Sequence, residues 1–196
     1  MNLRLDWCSH AAAKYACEHW HYSKTFPIGK IVRIGVWEND LFIGLIAYSP
    51  GASPDLGSKY NLGKFEVCEL IRVALFKHKS AVSRIISISL KMLKKQSPNM
   101  RLIVSFADPY QEHTGGIYQA GNWIYTGKSG ESVEYYVNGR WWHSRVFRSS
   151  EWSSVNGVSL IDKPKRKKPG KHRYLFPLDD EMKKQIEPLR KPYPKK

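Results

Sequence analysis

Apolar residues recur along the chain with two different periods, and together these periods predict a mixed α/β fold. In two segments the apolar positions are spaced as on one face of a helix, whereas other segments show the two-residue period or the short continuous runs of strands. Helices are expected at 11–20, 80–95 and 113–121. Strands are expected at 2–7, 31–38, 41–49, 65–76, 101–107, 123–126 and 133–137.

The order of these elements limits how they can be arranged. Asn39 and Asp40 separate two of the strands and are residues that favour tight turns, so we expect a hairpin there. The helix at 80–95 connects two further strands, and a crossover of this kind implies that those strands are parallel. We therefore predict an α/β fold with a mixed, mostly antiparallel central sheet and helices on both faces.

The charge of the chain is strongly positive and unevenly distributed. The formal net charge is +15 over 196 residues, which favours a polyanionic partner such as nucleic acid. Residues 139–196 contain 16 basic and 6 acidic side chains, whereas residues 1–138 contain 16 and 11. Because the regular apolar pattern also fades after Arg140, we divide the chain into a catalytic domain at 1–138 and a basic, aromatic-rich extension at 139–196.

Composition argues against an exported or membrane-spanning chain. No apolar run reaches the length needed to cross a bilayer, and the first residues lack the apolar core of a signal segment. Cys8, Cys17 and Cys68 show no CxxC spacing, which favours buried thiols in a reducing compartment.

Two segments resemble the GNAT acyltransferase fold. One is Glu-Leu-Ile-Arg-Val-Ala-Leu at 69–75, followed by a turn and a helix; the other is Gly-Ile-Tyr-Gln-Ala-Gly-Asn-Trp-Ile-Tyr at 116–125. The resemblance implies that Tyr118 holds the place of a tyrosine that protonates the departing thiolate. It also implies that coenzyme A pyrophosphate meets backbone amides at the start of the helix that begins near residue 80, as anions do at helix N-termini.

The loop at this expected pyrophosphate site departs from the family pattern. Residues 77–83 read Lys-His-Lys-Ser-Ala-Val-Ser and contain no glycine, so side chains crowd the approach of a phosphate, while the lysines supply positive charge. This departure puts the use of coenzyme A in doubt. The residues expected to contact the donor are Glu69, Val73, Lys79, Ser80 and Ser83.

A second, closer resemblance is to the Mom family of phage adenine-modification proteins. Matching segments occur in the same order at 21–23, 27–30, 35–38, 51–52, 69–75, 82–85, 105–108 and 115–120. This resemblance implies transfer of a methylcarbamoyl-type group to the exocyclic amine of adenine in double-stranded DNA, which protects phage DNA from restriction in the host cytoplasm. Acetyl-CoA and iron are both associated with the family, although an acetyl unit alone does not account for the product.

Five polar residues join Tyr118 as candidates for the chemistry. His21 and Tyr22 lie in a loop that borders the acceptor site in the GNAT arrangement, and Arg72 lies on the strand beside the donor cleft. Ser105 and Asp108 are at the end of the next strand, where ligand crevices form in parallel sheets. The alternatives are structural: an ion contact for Arg72, a helix cap for Asp108, and packing for Tyr22.

His21 and Asp108 are the candidate general bases, and His21, Tyr22 and Asp108 would be the ligands if iron is bound. The histidines show no ligand pair on a helix, so the metal is the minority hypothesis.

Basic residues of the extension are the candidates for contacting DNA. Arginines are interleaved with Trp141, Trp142, Phe147 and Trp152, and a dense basic run occupies 163–173. The alternatives are an apolar clasp formed by the tryptophans and a solvated linker formed by the basic run. The candidates are Arg140, Arg145, Arg148, Lys165, Arg166, Lys167 and Lys168.

The sequence thus predicts a DNA adenine transferase. The alternatives are an ordinary GNAT N-acetyltransferase, which the glycine-free loop disfavours, and a DNA-binding protein without activity, which the polar residues at the strand ends disfavour.

Overall fold

The computed structural model describes residues 2–51, 53, 55–148, 160 and 162–195, and these residues form two β-sheets with flanking helices. The strands are β1 (Leu3–Trp7), β2 (Val32–Glu38), β3 (Leu41–Ser49), β4 (Val67–Leu75), β5 (Leu102–Ala107), β6 (Ile124–Lys128), β7 (Ser132–Val137), β8 (Arg140–His143), β9 (Lys165–Lys168) and β10 (His172–Pro177). The helices are α1 (His10–Trp20), α2 (Val82–Gln96), α3 (Gly116–Gln119) and α4 (Asp180–Ile186).

The main sheet has seven strands in the order β1-β2-β3-β4-β5-β10-β6. Only β4 and β5 pair in parallel, and α2 connects them, as the sequence predicts. β2 and β3 form the predicted hairpin, and its two turn residues, Asn39 and Asp40, have φ of 47° and 62°. Positive φ at both positions is the signature of the type I′ turn, which asparagine and aspartate tolerate better than other side chains.

Helices cover both faces of this sheet because neighbouring strand residues point to opposite sides. On one face, α2 packs its apolar stripe on residues such as Ile46 and Ile103, and α3 adds Tyr118. On the other face, α1 packs Ala13, Ala16 and Cys17 on β3 and β4. On this face α4 covers β5, β6 and β10, which completes the core.

Residues after 138 do not form the separate extension that the sequence predicts. β10, in the segment predicted to be a tail, is an internal strand of the main sheet and lies between β5 and the edge strand β6. Tyr174 and Leu175 on β10 are fully buried, and α4 packs beside them. The body of the fold therefore includes residues from both predicted units.

The remaining strands form a small sheet in the order β8-β7-β9. β6 and β7 follow one another along the chain, as the sequence predicts, and they lie in different sheets. The run at 163–173, predicted to be a basic arm or linker, supplies β9 and the first residues of β10.

No helix among the described residues is long and apolar enough to cross a membrane.

Candidate active site

A cleft opens in the main sheet where its two parallel strands separate. β4 and β5 are paired from Val67–Leu102 to Leu70–Ser105, and no further pairs follow although both strands continue. The register between β3 and β4 also shifts here, since Tyr48 faces Leu70 and Ala47 faces Arg72. The shift leaves Ile71 as an extra residue, and such a bulge bends a strand and redirects its side chains.

The separation produces a cavity of about 680 Å³ with mixed polar and apolar walls. The loop after α1, the second half of β4, the end of β5 and the segment leading into α3 all contribute. Six residues selected from the sequence line this cavity: His21, Tyr22, Glu69, Arg72, Val73 and Tyr118. The structure therefore brings these residues together.

Tyr118 lines the cleft, and Ser105 lies buried directly behind it. Ser105 Oγ lies 2.8 Å from the Leu70 carbonyl oxygen and 2.8 Å from the Tyr118 hydroxyl, so the side chain joins β4 and β5 where their backbone pairing ends. Burial raises the pKa of Tyr118 to about 12, so its phenol is neutral and retains a proton to donate. Ser105 is fully buried and acts as a bridge rather than as part of the cavity wall.

Arg72 places a cationic group in the cleft. One of its terminal nitrogens donates to the Ile71 carbonyl oxygen at 2.8 Å. Its Nε is buried and has no hydrogen-bond partner among the described residues. A buried donor without a partner is rare in folded proteins. Arg72 is therefore a candidate to donate a hydrogen bond to a carbonyl oxygen or an anion of a ligand.

His21 is held as a neutral side chain. The Ser23 backbone N–H donates to His21 Nδ1 at 3.1 Å, and the Ser23 hydroxyl lies 2.8 Å from the same nitrogen. Burial, followed by the positive charge of Arg72, lowers the pKa of His21 to about 4. Because Nδ1 accepts the Ser23 amide, the proton of the neutral ring lies on Nε2, so His21 can donate to a ligand but is a poor base.

Tyr22 stands at the mouth of the cleft with 46% of its surface exposed. Its ring packs 4.2 Å from the ring of His21 and meets His113 edge to face at 5.3 Å. Burial of the hydroxyl, followed by the charge of Asp108, raises the pKa of Tyr22. A half-exposed aromatic ring held in this way offers a flat surface for stacking.

Asp108 lies beside the cavity rather than in its wall. Its side chain accepts from the Tyr110 amide at 3.0 Å and so caps a short 3-10 turn at Pro109–Gln111, which was the structural alternative predicted for it. Lys171 Nζ, from the loop before β10, lies 3.6 Å from the Asp108 carboxylate. The cap and this contact fix the position of the carboxylate.

The loop between β4 and α2 does not match its predicted role in holding the donor. The Lys79 and Ser80 amides donate to the Glu38 carboxylate at 2.9 and 2.7 Å. Neither residue lines the cavity, and Ser83 in the first turn of α2 does not line it either. Two of the amides expected near the coenzyme A pyrophosphate, those of Lys79 and Ser80, are therefore already engaged by Glu38.

The structure also gives no support to the iron hypothesis. Across the part of the chain that the structure describes, no three His, Cys, Asp or Glu side chains lie close enough together to hold a metal. His21, Tyr22 and Asp108 supply only two such side chains between them. His21 Nδ1 is already engaged by Ser23, and Asp108 is engaged by Tyr110 and Lys171.

Several cavity residues were not selected from the sequence. Phe106, Glu112, His113, Thr114 and Lys171 all line the cleft. His113 was considered only as a possible metal ligand, and Lys171 was part of the basic run. Nothing in a single sequence shows that the start of β10 returns to the cleft, since that contact depends on pairing across more than sixty residues.

The predicted DNA-contacting residues divide between the two faces of the small sheet. Arg166 and Lys168 contact Glu134 at 2.7 and 3.3 Å, and Arg166 also stacks over Trp141 at 4.3 Å. Burial alone would raise the pKa of Glu134, but the Arg166 hydrogen bond and the charge of Lys168 lower it. Lys165 and Lys167 alternate with this pair and are exposed.

Other residues of the predicted interface contact their own hairpin or lie beyond what is described. Arg140 stacks over Trp142 at 3.4 Å, and the Trp142 indole donates to the Val137 carbonyl oxygen. Both contacts stay within the β7–β8 hairpin. The side chains of Arg145 and Arg148, together with Trp152 and Ala52, lie outside the described residues.

Comparison with known proteins gives a consistent result. A model of the Mom protein family matches residues 2–195. The methylcarbamoylase Mom of Escherichia phage Mu is 27% identical over 203 residues, which cover 98% of this chain and 84% of that protein.

Solved structures resemble the chain in fold. Arabidopsis thaliana NAA60 bound to a bisubstrate analogue has a TM-score of 0.51 at 7% identity and covers 91% of this chain and 100% of its own. Spermidine N-acetyltransferase from Vibrio cholerae, in complex with CoA and spermine, has a TM-score of 0.48 at 11% identity, with 94% and 98% covered. The predicted GNAT-like fold is confirmed.

Proposed function

The chain belongs to the Mom protein family, and on that premise we propose that it is a phage DNA modification enzyme that transfers a methylcarbamoyl-type group to the exocyclic amino group of adenine. The observation that carries the proposal is the cleft at the β4–β5 separation, which holds a buried arginine donor, a neutral histidine and a half-exposed tyrosine within one cavity in a chain of this family. Modified adenine in the host cytoplasm would then protect the phage DNA from restriction.

The acceptor is an adenine that has left the base stack. The amino group of a stacked adenine is out of reach of a cavity in a globular domain, so the base must flip or the strands must open. Tyr22 supplies the stacking surface at the mouth, and the neutral base needs no charged partner there.

The donor is an activated carbonyl compound whose reacting end lies beside β4. A bond forms between adenine N6 and the carbonyl carbon, the donor's leaving group departs, and N6 loses a proton. Arg72 and the Nε2–H of His21 donate to the carbonyl oxygen as negative charge develops on it, which stabilises the transition state. Coenzyme A is not written into this step because Glu38 already occupies the Lys79 and Ser80 amides.

Proton removal is assigned to Asp108. Of the two candidate bases, His21 is too weakly basic and has Nδ1 engaged, whereas Asp108 is oriented by Tyr110 and Lys171 beside Tyr22. Tyr118, neutral and hydrogen-bonded to Ser105, retains the proton that the leaving group requires.

DNA lies across the cleft and the small sheet. Tyr110 is two residues after Asp108 and also contacts Arg166 and Lys168 of β9, so the small sheet lies next to Asp108, on its side of the cleft. The exposed lysines of β9 then contact the phosphate backbone, which supplies affinity without reading sequence.

Nucleoside mass spectrometry tests this function. The chain is expressed in a bacterium, the DNA is digested, and deoxyadenosine derivatives are compared with those from cells expressing Arg72→Ala. We expect a methylcarbamoyl-type derivative only with the unsubstituted chain. An acetylated derivative would favour an ordinary acetyltransferase, and unmodified adenine from soluble protein would favour a DNA-binding protein without activity.

A further inference from the structure

The carboxylate of Glu38 occupies the turn between β4 and α2. Glu38 is the last residue of β2 and is 6% exposed. Its two oxygens accept from the Lys79 amide at 3.2 and 2.9 Å and from the Ser80 amide at 2.7 Å. Hydrogen bonds from Ser80 and Lys79 lower the pKa of Glu38 against the opposing effect of burial, so the carboxylate is charged.

Two consecutive backbone amides pointing at one acceptor form an anion site. Such concave sets of N–H groups ahead of a helix bind phosphates and carboxylates alike, because they offer donors with fixed geometry and partial positive charge. In this protein the anion is a side chain, the carboxylate of Glu38. Glu38 ends β2 and precedes Lys79 by 41 residues in the sequence.

We propose that Glu38 closes this anion site to the donor and is therefore a specificity residue that excludes a pyrophosphate from the loop at 77–80. The donor is then selected by the cleft itself, through Arg72, and not by a diphosphate held at the start of α2. The ligand class excluded is the nucleoside diphosphate part of a coenzyme. The ligand class admitted is a compact activated carbonyl compound that the cavity of about 680 Å³ can hold.

The backbone of Glu38 is held in the sheet, which keeps its carboxylate at the Lys79 and Ser80 amides. The residue is fixed by pairing with Leu3 of β1 and with Leu41 of β3, so its backbone cannot swing away without breaking the edge of the sheet. A pyrophosphate that entered the loop would leave a buried carboxylate without partners and next to a like charge, and both changes are unfavourable.

This inference rests on the proposed function, because it concerns the donor of that reaction. Its test requires neither DNA nor enzymatic turnover. Binding of inorganic pyrophosphate and of coenzyme A is measured by calorimetry for the unsubstituted chain, Glu38→Ala and Glu66→Ala. Glu66 is the matched control, since its carboxylate also accepts a loop amide, that of Gly63 at 2.7 Å, but lies away from α2. The control corrects for anion binding that follows from the positive charge of the chain alone.

We expect Glu38→Ala to bind pyrophosphate at least tenfold more tightly than Glu66→Ala and the unsubstituted chain. Equal affinity in the two variants would overturn the proposal and leave Glu38 as a structural cap. Glu38→Gln, which keeps one oxygen acceptor and its shape, should fall between them.

A second measurement does not depend on how the variants fold. In ¹H–¹⁵N spectra of the unsubstituted chain, the Lys79 and Ser80 amide signals should not move when coenzyme A is added. Movement of these two signals at saturating coenzyme A would overturn the proposal whatever the variants do. Neither outcome depends on whether adenine is modified, so failure of this inference and failure of the proposed function remain distinguishable.

Discussion

The cleft beside β4 and the small sheet both gather cationic and aromatic side chains, but they satisfy these groups differently. In the cleft, Arg72 keeps a buried Nε without a partner among the described residues, and Tyr22 is half exposed. In the small sheet, Arg166 has a carboxylate partner in Glu134 and an aromatic partner in Trp141. One region leaves donors for a ligand, whereas the other uses them to hold its own strands together.

This difference shows that positive charge alone does not mark a binding surface. The basic run of β9 was selected for its density, yet two of its four cations share an ion pair with a single carboxylate, that of Glu134. Along β9, half-buried cations alternate with exposed ones. The sequence does not show which positions are half-buried until the partner strand is known.

The largest expected effect tests whether the protein can fold without its C-terminal residues. A chain that ends at residue 163 loses β9, β10 and α4 and should not fold, because β10 fills the space between β5 and β6 and buries Tyr174. We expect no cooperative transition in thermal unfolding followed by circular dichroism. The control ends at Tyr193, which keeps the hydrogen bond from that residue to the Trp123 carbonyl oxygen. A folded 163-residue chain would restore the division at residue 138.

The first half of the fold was predictable and the last half was not, for physical reasons. Hairpin chemistry at Asn39 and Asp40, the apolar stripe of α2 and the crossover to β5 are local signals, and the structure confirms all three. β10 follows a basic run, and its place is set by pairing with strands far away in the chain.

One glycine in the sequence, Gly115, is explained by the position of β10. Gly115 has a φ of 86°, and a Cβ there would lie 2.3 Å from the Tyr174 ring, so this glycine is required by the strand that the sequence analysis missed.

The candidate site was predictable to the extent that the resemblance to known families placed its residues around the donor cleft and the acceptor site. Arg72, Tyr22 and Tyr118 meet in the cavity as expected. The roles of His21 and Lys79 were not predictable, because they depend on hydrogen bonds from Ser23 and to Glu38 that only the folded chain shows.

The next largest effect tests whether Arg72 and Asp108 take part in the reaction. Arg72→Ala should lower adenine modification by about a hundredfold or more, the usual consequence of removing a donor to developing charge. Asp108→Asn should do likewise, because the amide cannot accept the N6 proton. Modification is measured as the modified fraction of deoxyadenosine in digested DNA.

Arg33→Ala serves as the control for these variants, since Arg33 lies on β2 and does not line the cavity. Thermal unfolding is measured for all three proteins. If Arg72→Ala or Asp108→Asn loses activity only together with a large fall in melting temperature, the structural ion contact accounts for the loss instead.

A smaller effect separates the two faces of β9. Replacing exposed Lys165 and Lys167 with Ala should weaken DNA binding and reduce the log–log salt slope by about 1.8, since each phosphate contact contributes about 0.9. Replacing Arg166 and Lys168 with Ala should change the slope less and lower the melting temperature more, because Glu134 then loses both partners. Equal slopes for the two pairs in fluorescence anisotropy titrations would contradict this division.

The smallest effect concerns the coupling inside the cleft. Because Arg72 is the largest electrostatic contributor to the low pKa of His21, Arg72→Ala should raise that pKa above about 4 without restoring its ordinary value, since burial contributes more. The ring signals of His21, assigned by their loss in His21→Gln, are followed by NMR across pH 3 to 8. An unchanged pKa would mean that the Arg72 charge does not reach His21.

The same pKa predicts how stability depends on pH. Unfolded His21 takes up a proton near 6.5, but the folded chain resists it down to about 4. The folded state therefore loses stability as pH falls through this window, and the contribution of His21 is fully present only above it. His21→Gln should flatten the fall in melting temperature between pH 6.5 and 4 relative to the unsubstituted chain. A fall of unchanged steepness would place the acid sensitivity in other groups and would remove the argument that His21 is held neutral by burial in the cleft.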